Sequence, residues 1–342
     1  MIRAYVAARR IVLVAAIGVV AFLPLLFSTY VTSSIAVPAL WVGLCAASLT
    51  FLASYGGMVS LAQTGLFGVA GLLTAALMVQ AGWDPWMAAL VGILAATAVG
   101  ALFGALASSS TGTYFLMITL ALAEISYYVF SAVPAFGLHE GINAVFPPAV
   151  LGDPVLHPTT IYYFILILCV FVYLLLRYLV RTPFGVALQG VRDEPTRMTS
   201  LGYNVRLHRT LIFAIGAAIA GLAGVLSAWT NTRMSADSVS LSVTIGVLEA
   251  AVIGGLYRLE GAWVGALAVT ILTTYGPSFT DRYATAIGII FLAIVLISPG
   301  GLVGMLTSID GRMRRWLATR GATAAVSGGA SSGGASSPAP GG

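Results

Sequence analysis

The chain has 342 residues, 59% of them hydrophobic, with only 16 basic and 11 acidic side chains. A soluble globular domain carries about 25% charged residues; at 8% this chain has too little charge to cover a water-exposed surface of its size, so a soluble fold is excluded and lipid is its solvent. At about 20 residues per intramembrane helix, the apolar stock suffices for about ten spans.

Ten apolar segments are predicted, at 11–30, 36–54, 58–80, 86–108, 114–133, 159–179, 209–229, 242–257, 261–276 and 284–299. The first follows Arg3, Arg9 and Arg10 and reads as a retained span, because no small-x-small cleavage site follows it. The third, eighth and ninth are short or interrupted, as at Gly65, Gly68 and Gly71, or at Gly254 and Gly255. Such breaks are tolerated in a bilayer only where protein surrounds them. The fold class is therefore all-α: a polytopic transmembrane helical bundle of about 10 segments, with 8 full spans plus irregular or re-entrant pieces as the alternative.

Small residues recur at helical spacing at Gly100/Gly104, Ala217/Gly221 and Ala220/Gly224. They read as packing faces, since helix association in lipid depends on close van der Waals contact. Glu124 falls at the centre of the fifth segment and Glu249 within the eighth. A lipid-facing charge there is expensive, so each should face protein or a water-filled path. Local packing is the plainer reading of both, and the polar lining of a path is the functional one.

The stretch 134–158 holds five prolines, Glu140 and Asp153, and no arginine. It reads as a turn-rich cap, either a connector or a docking surface for an extracytoplasmic partner. The stretch 181–209, by contrast, carries Arg181, Arg192, Arg197, Arg206 and Arg209. The positive-inside rule places that loop and both termini in the cytoplasm and 134–158 outside.

The cytoplasmic loop 181–208 is the most informative segment. Thr182-Pro183 starts a helix. Phe184, Ala187, Leu188 and Val191 recur at helical spacing. Pro195 breaks that helix, and a second short element runs through Met198 and Leu201 to end at Gly202. An amphipathic loop of this kind lies on a bilayer or inserts into a groove on a cytoplasmic partner. Every basic side chain is arginine, so no phosphate-binding GxxxxGK[ST] loop exists, and any nucleotide hydrolysis belongs to another subunit. Cys45 and Cys169 lie in apolar stretches and His139, His157 and His208 are scattered, so no metal site is expected. The basic clusters set topology, and nucleic acid is not an expected partner.

Residues 1–305 thus form the membrane domain. Residues 306–320 read as a basic membrane-surface segment, with GRMRRWLATR on the anionic inner leaflet. Residues 321–342 read as a disordered, low-complexity tail.

Taken in order, YGGMVSLAQTGLFGVAGLLTAAL (Tyr55–Leu77), GTYFLMITLALAEISYYV (Gly112–Val129), TPFGVALQGVRDEPTRMTSLGYN (Thr182–Asn204), AAIAGLAGVLSAW (Ala217–Trp229) and VLEAAVIGGLYRLEGAWVGALAVTIL (Val247–Leu272) resemble the permease subunit of bacterial branched-chain amino-acid ABC importers. The likeness is to the longer of the two permease types, over about residues 35–305. It implies a multi-pass protein of the bacterial inner membrane that carries no catalytic site and binds no cofactor itself. It also implies a second related permease, two cytoplasmic ATPase subunits that use ATP and Mg, and an extracytoplasmic substrate-binding protein.

By the same resemblance Arg192, Asp193, Glu194, Leu201 and Gly202 would couple the loop to the ATPase. Leu201 would enter its groove, Gly202 would end the coupling helix, and the charged residues would set rim contacts. The run Pro195-Thr196-Arg197-Met198-Thr199 departs from the alanine-rich helix expected there. Ser60 and Gln63 would line or brace the path, with glycine-linked packing the plainer reading, and Gly254 and Gly255 would shape a close helix approach beside it. Substrates of such permeases include leucine, isoleucine and valine, but also urea, short amides and small organic acids, with specificity expected in the binding protein. The rival reading is an ion-coupled secondary transporter, which would need its own coupling-ion site. A membrane-embedded enzyme would need clustered His, Asp or Glu.

Overall fold

The computed structural model describes residues 29–110, 112–138, 140–152, 158–279, 282–297 and 300–305. The predicted first span up to residue 28, residues 153–157 of the cap, His139, His157, the 306–320 segment and the 321–342 tail lie outside the described residues.

In chain order the helices are α1 (Thr29–Gly56), α2 (Gln63–Val79), α3 (Pro85–Ala107), α4 (Gly112–Ala132) and α5 (Pro158–Leu179). They continue as α6 (Pro183–Asp193), α7 (Pro195–Ser200), α8 (Val205–Asn231), α9 (Leu241–Gly254), α10 (Leu259–Phe279) and α11 (Tyr283–Ile297). Six described stretches are long and apolar enough to cross a membrane: α1, α3, α4, α5, α8 and Ala284–Met305, which contains most of α11. The apolar helices α2 and α9 are shorter. Polar side chains start several elements where the sequence offers them. Asp84 accepts from Trp86 N at 3.1 Å to cap α3, and Asn204 accepts from Leu207 N at 3.0 Å to cap α8.

Direction follows from which ends meet. At one end of the bundle Arg209 reaches Ser108 O at the end of α3, and Ser54 near the end of α1 bonds Leu256 O after α9. Helices α6 and α7 lie at that end. At the opposite end Gln80 after α2 donates to Ala135 O, and Thr274 of α10 donates to Ser34 O of α1. There β1 (Ile142–Asn143) pairs antiparallel with β2 (Arg233–Met234), Ile142 opposite Met234. This two-residue ladder is the one departure from an all-α chain among the described residues. It ties the turn-rich cap to the connection between α8 and α9, and Arg233 adds a bond to Glu140 O at 3.1 Å.

The core is built by close backbone approach. α8 packs on α2 and α3, and α1 on α9 and α10, with α8 and α1 also in contact. A Cβ on Gly100 would lie 2.1 Å from Ala217 Cβ, one on Gly104 2.8 Å from Phe213 Cβ, and one on Gly224 2.0 Å from Phe67 O. The small-residue faces read from the sequence are therefore packing faces.

Candidate functional site

α1 does not run into α2. Its last turn, Leu52–Gly56, is a wide π turn, closed by Gly57 at φ +66°. The chain then passes through a non-helical stretch, 57–62, in which Met58, Ser60, Leu61 and Ala62 are buried. Side chains hold its backbone there: Leu61 N donates to Thr119 Oγ1 of α4 at 3.2 Å, and Ala62 N to Ser60 Oγ at 3.2 Å. The interruption expected at Gly65, Gly68 and Gly71 is not there: the helix runs unbroken over Gln63–Val79, and the non-helical stretch lies ahead of it at 57–62, held by protein as a lipid-excluded backbone must be.

Gln63 opens α2 and is 1% exposed. Ser48 Oγ donates to Cys45 O at 2.7 Å and lies 3.2 Å from Gln63 Oε1, so the amide is wedged against α1. A Cβ on Gly216 of α8 would sit 3.7 Å from both amide heteroatoms. Gln63 Nε2 is buried without a hydrogen-bond partner. Ser60 is 0% exposed. Gln63 is thus packed where α1, α2 and α8 meet, and Ser60 is buried in the stretch ahead of it.

The glycines of α2 form a track. Ser126 of α4 closes on Gly65, Val239 on Gly68 and Met234 on Gly71, with hypothetical Cβ separations of 3.0, 2.3 and 2.7 Å. Along that track residues 234–239 descend to α9, whose Thr244 Oγ1 lies 2.6 Å from Thr64 Oγ1. Two short helices, α2 after the non-helical stretch 57–62 and α9 after a 3-10 turn at Ala236–Val239, therefore meet near their N-termini. At the other end of α9 the glycines close again. A Cβ on Gly254 would lie 1.9 Å from Gly261 O, and one on Gly255, at φ +122°, 2.5 Å from Gly300 O. α9 ends at Gly254, and both glycines lie against neighbouring backbone.

Glu124 on α4 and Glu249 on α9 are both half-buried, and neither has a hydrogen bond or ion pair with a described residue. Each stands beside strongly exposed neighbours, Ile125 and Tyr128 on α4 and Ile245 on α9.

The loop after α5 folds as its residues dictate. Thr182 Oγ1 accepts from Gly185 N at 3.4 Å, and Pro183 takes the first turn of α6. Ala187, Leu188 and Val191 are buried against the bundle. Pro195 opens α7, and Glu194 is the extended link before it. α7 ends in a Schellman motif: Tyr203 N donates to Met198 O at 3.0 Å, Gly202 N to Thr199 O at 3.0 Å, and Gly202 sits at φ +88°. Beside it Leu201 is 67% exposed. Asp193 and Glu194 are also exposed. Arg192 is exposed as well, its side chain 37% accessible, but its guanidinium reaches back to the bundle. Its Nη1 donates to Ser54 O at the end of α1, while its Nε pairs with Asp193 at 2.7 Å.

One cluster was not legible in the sequence. Arg177 Nη1 donates to Tyr173 Oη at 2.8 Å, and Tyr173 Oη donates to Glu260 Oε1 at 2.9 Å, pinning the end of α5 to the first turn of α10. The Arg177–Tyr173 spacing of four was visible as one helix face; nothing local pointed to Glu260. No group of three or more His, Cys, Asp or Glu among the described residues is placed to hold a metal ion.

Residues 31–298 match the model of a family described as the branched-chain amino acid transport system / permease component. Among curated proteins, the chain is similar to the high-affinity branched-chain amino acid transport system permease protein LivM of Escherichia coli K12. The identity is 23% over 281 residues, covering 75% of this chain and 66% of that protein. It is also similar to the probable branched-chain amino acid transport permease protein LivH of Methanocaldococcus jannaschii, 29% identical over 150 residues, 41% of this chain and 46% of that one. The D-allose transport system permease protein AlsC of Escherichia coli K12 is 28% identical over 204 residues, 58% of this chain and 59% of that one. No solved structure matches the chain.

Proposed function

The chain belongs to the branched-chain amino acid transport permease family, and from that premise we propose that it is the membrane-spanning, non-catalytic subunit of an ATP-driven importer in a bacterial inner membrane. The observation that carries the reading is the α6–α7 loop. It is anchored on the bundle by Ala187, Leu188 and Val191 and presents Val186, Leu201 and Tyr203 to the outside. Exposed apolar side chains on a capped, arginine-rich loop suit insertion into a groove of a cytoplasmic protein. In this reading Leu201 enters the ATPase groove, Gly202 fixes its presentation, and Asp193 and Glu194 make rim contacts. ATP and Mg are used by that partner.

The arginine-rich loop sets the α6–α7 end in the cytoplasm and the β1–β2 end outside. With the first span read from the sequence at 11–30, and with α2 and α9 each counted as a crossing, the chain crosses about ten times and both termini are cytoplasmic. The β1–β2 end receives the substrate-binding protein. A second related permease covers the α4 and α9 faces that bear Glu124 and Glu249, because a carboxylate left toward lipid at mid-span is costly. The translocation path runs between the two permeases. Its solute is a branched-chain amino acid or a related small polar molecule. That a relative is named for D-allose transport supports selection by the binding protein rather than by this subunit.

The test is purification of the tagged chain from its native membrane in mild detergent. A second permease and ATPase subunits in fixed ratio are the expected result, after which the co-purifying binding protein is screened with leucine, isoleucine, valine, urea and short amides. A lone chain or homodimer from intact membranes would count against the importer and favour ion-coupled transport.

A further inference from the structure

We propose that Arg192 is a positioning residue that ties the α6–α7 loop to both broken helices of the bundle, so that displacement of the loop is passed through Ser54 to the stretch ahead of α2 and to the end of α9. This rests on the functional reading above.

The geometry is a two-bond relay through one residue. The final π turn of α1 bonds Gly57 N to Leu52 O and leaves later carbonyls without a helical donor. Arg192 Nη1 takes one of them, Ser54 O. The hydroxyl of the same Ser54 donates to Leu256 O at 3.2 Å, in the turn that follows Gly254 and Gly255. One end of the relay is therefore α6. The other ends are the start of the buried 57–62 stretch and the closure of α9 on α10. Those two routes converge again where α2 and α9 touch at Thr64 and Thr244.

Arg192 is held for this task from two sides. Asp193 fixes its Nε at 2.7 Å, so the guanidinium fork presents Nη1 in one direction. Its stem lies across Gly57, where a Cβ would fall 2.5 Å from Arg192 Cγ. The backbone there, at φ +66°, also favours glycine. Lysine keeps the charge but cannot make both contacts at once.

The experiment uses the full transporter, purified with its partner subunits, and follows backbone amide exchange with and without AMP-PNP and Mg. In the wild type, nucleotide is expected to change exchange in α6–α7, in 57–63 and in 240–256. In Arg192→Ala the change in α6–α7 persists and the changes in the other two stretches are lost. In Arg192→Lys they are partly retained. Ser54→Ala leaves the carbonyl bond in place but removes the link to Leu256, so it keeps the change at 57–63 and loses it at 240–256. A residue that merely stabilised the fold would not separate the two stretches in this way.

Uptake of radiolabelled leucine per ATP hydrolysed, in proteoliposomes with the binding protein, falls about tenfold for Arg192→Ala and for Gly57→Ala. Wild-type changes at 57–63 in Arg192→Ala would overturn the relay. If that variant does not assemble, the same result in Arg192→Lys together with a nucleotide-dependent change at 240–256 that persists in Ser54→Ala would overturn it. A wild-type complex in which nucleotide alters nothing in α6–α7 would instead remove the functional reading, and the relay with it.

Discussion

Gln63 is the residue whose cost is plainest. Its Nε2 is buried without a partner, and an unsatisfied buried donor costs about 1–3 kcal/mol. Methionine has nearly the same length and no such donor, so Gln63→Met should hold or raise thermal stability in detergent. If the amide only braces α1, α2 and α8, uptake stays within about twofold of wild type. A tenfold loss with stability intact would make the amide part of the path. Gly254 has the opposite character. A Cβ there would lie 1.9 Å from Gly261 O, a clash with backbone that no rotamer relieves. Gly254→Ala must part α9 from α10, at about 1–3 kcal/mol, seen as a lower melting temperature and less protein in the membrane. The sequence made the glycines visible and not their counterparts. Gly254 and Gly255 announce a break, but that they meet Gly261, Gly300 and Gly301 depends on a chain reversal that no local pattern encodes.

Among the elements, α6 and α7 were the most legible, because each boundary has a local cause: Thr182 and Pro183 at the start, Pro195 at the break and Gly202 at the end. The segment α2 was less so. Its apolar run begins at Met58, yet the helix begins at Gln63, because the preceding residues find their hydrogen bonds on Thr119 and Ser60 rather than along a helix. The pairing of Thr64 with Thr244, 180 residues apart, had no sequence signal at all. Because α7 is only Pro195–Ser200, its Schellman closure fixes where Leu201 points. Leu201→Asp replaces an exposed apolar side chain with a charge and touches no buried contact. It should leave protein level and stability unchanged and uncouple ATP hydrolysis from uptake. Normal uptake at wild-type membrane levels would show that Leu201 is not what the partner grips. Gly202→Ala leaves the side chain of Leu201 in place but strains a backbone at φ +88°, by about 1 kcal/mol. It should weaken coupling less than Leu201→Asp does.

At the scale of the whole molecule, sidedness decides between readings, since an importer needs its ATPase face in the cytoplasm and its substrate face outside. The described chain fixes which loops share an end of the bundle. The stretch 134–152 stands with β2 at one end, and α6 and α7 stand together at the other. Charge alone orients that axis, through the arginines of 181–209 and the lack of any in 134–158. Chemistry can read the orientation cleanly because both native cysteines, Cys45 and Cys169, are buried and free. Val150, 84% exposed, and Leu201, 67% exposed, are suitable single reporters at opposite ends. On intact spheroplasts an impermeant maleimide should label Val150→Cys and spare Leu201→Cys, and permeabilisation should make the second react as fast as the first. The reverse pattern would put α7 outside, beyond the reach of any cytoplasmic ATPase, and the importer reading would fall with it. Labelling of both sites in intact cells would mean that the chain inserts in two orientations, which a loop bias of five arginines against none is expected to prevent.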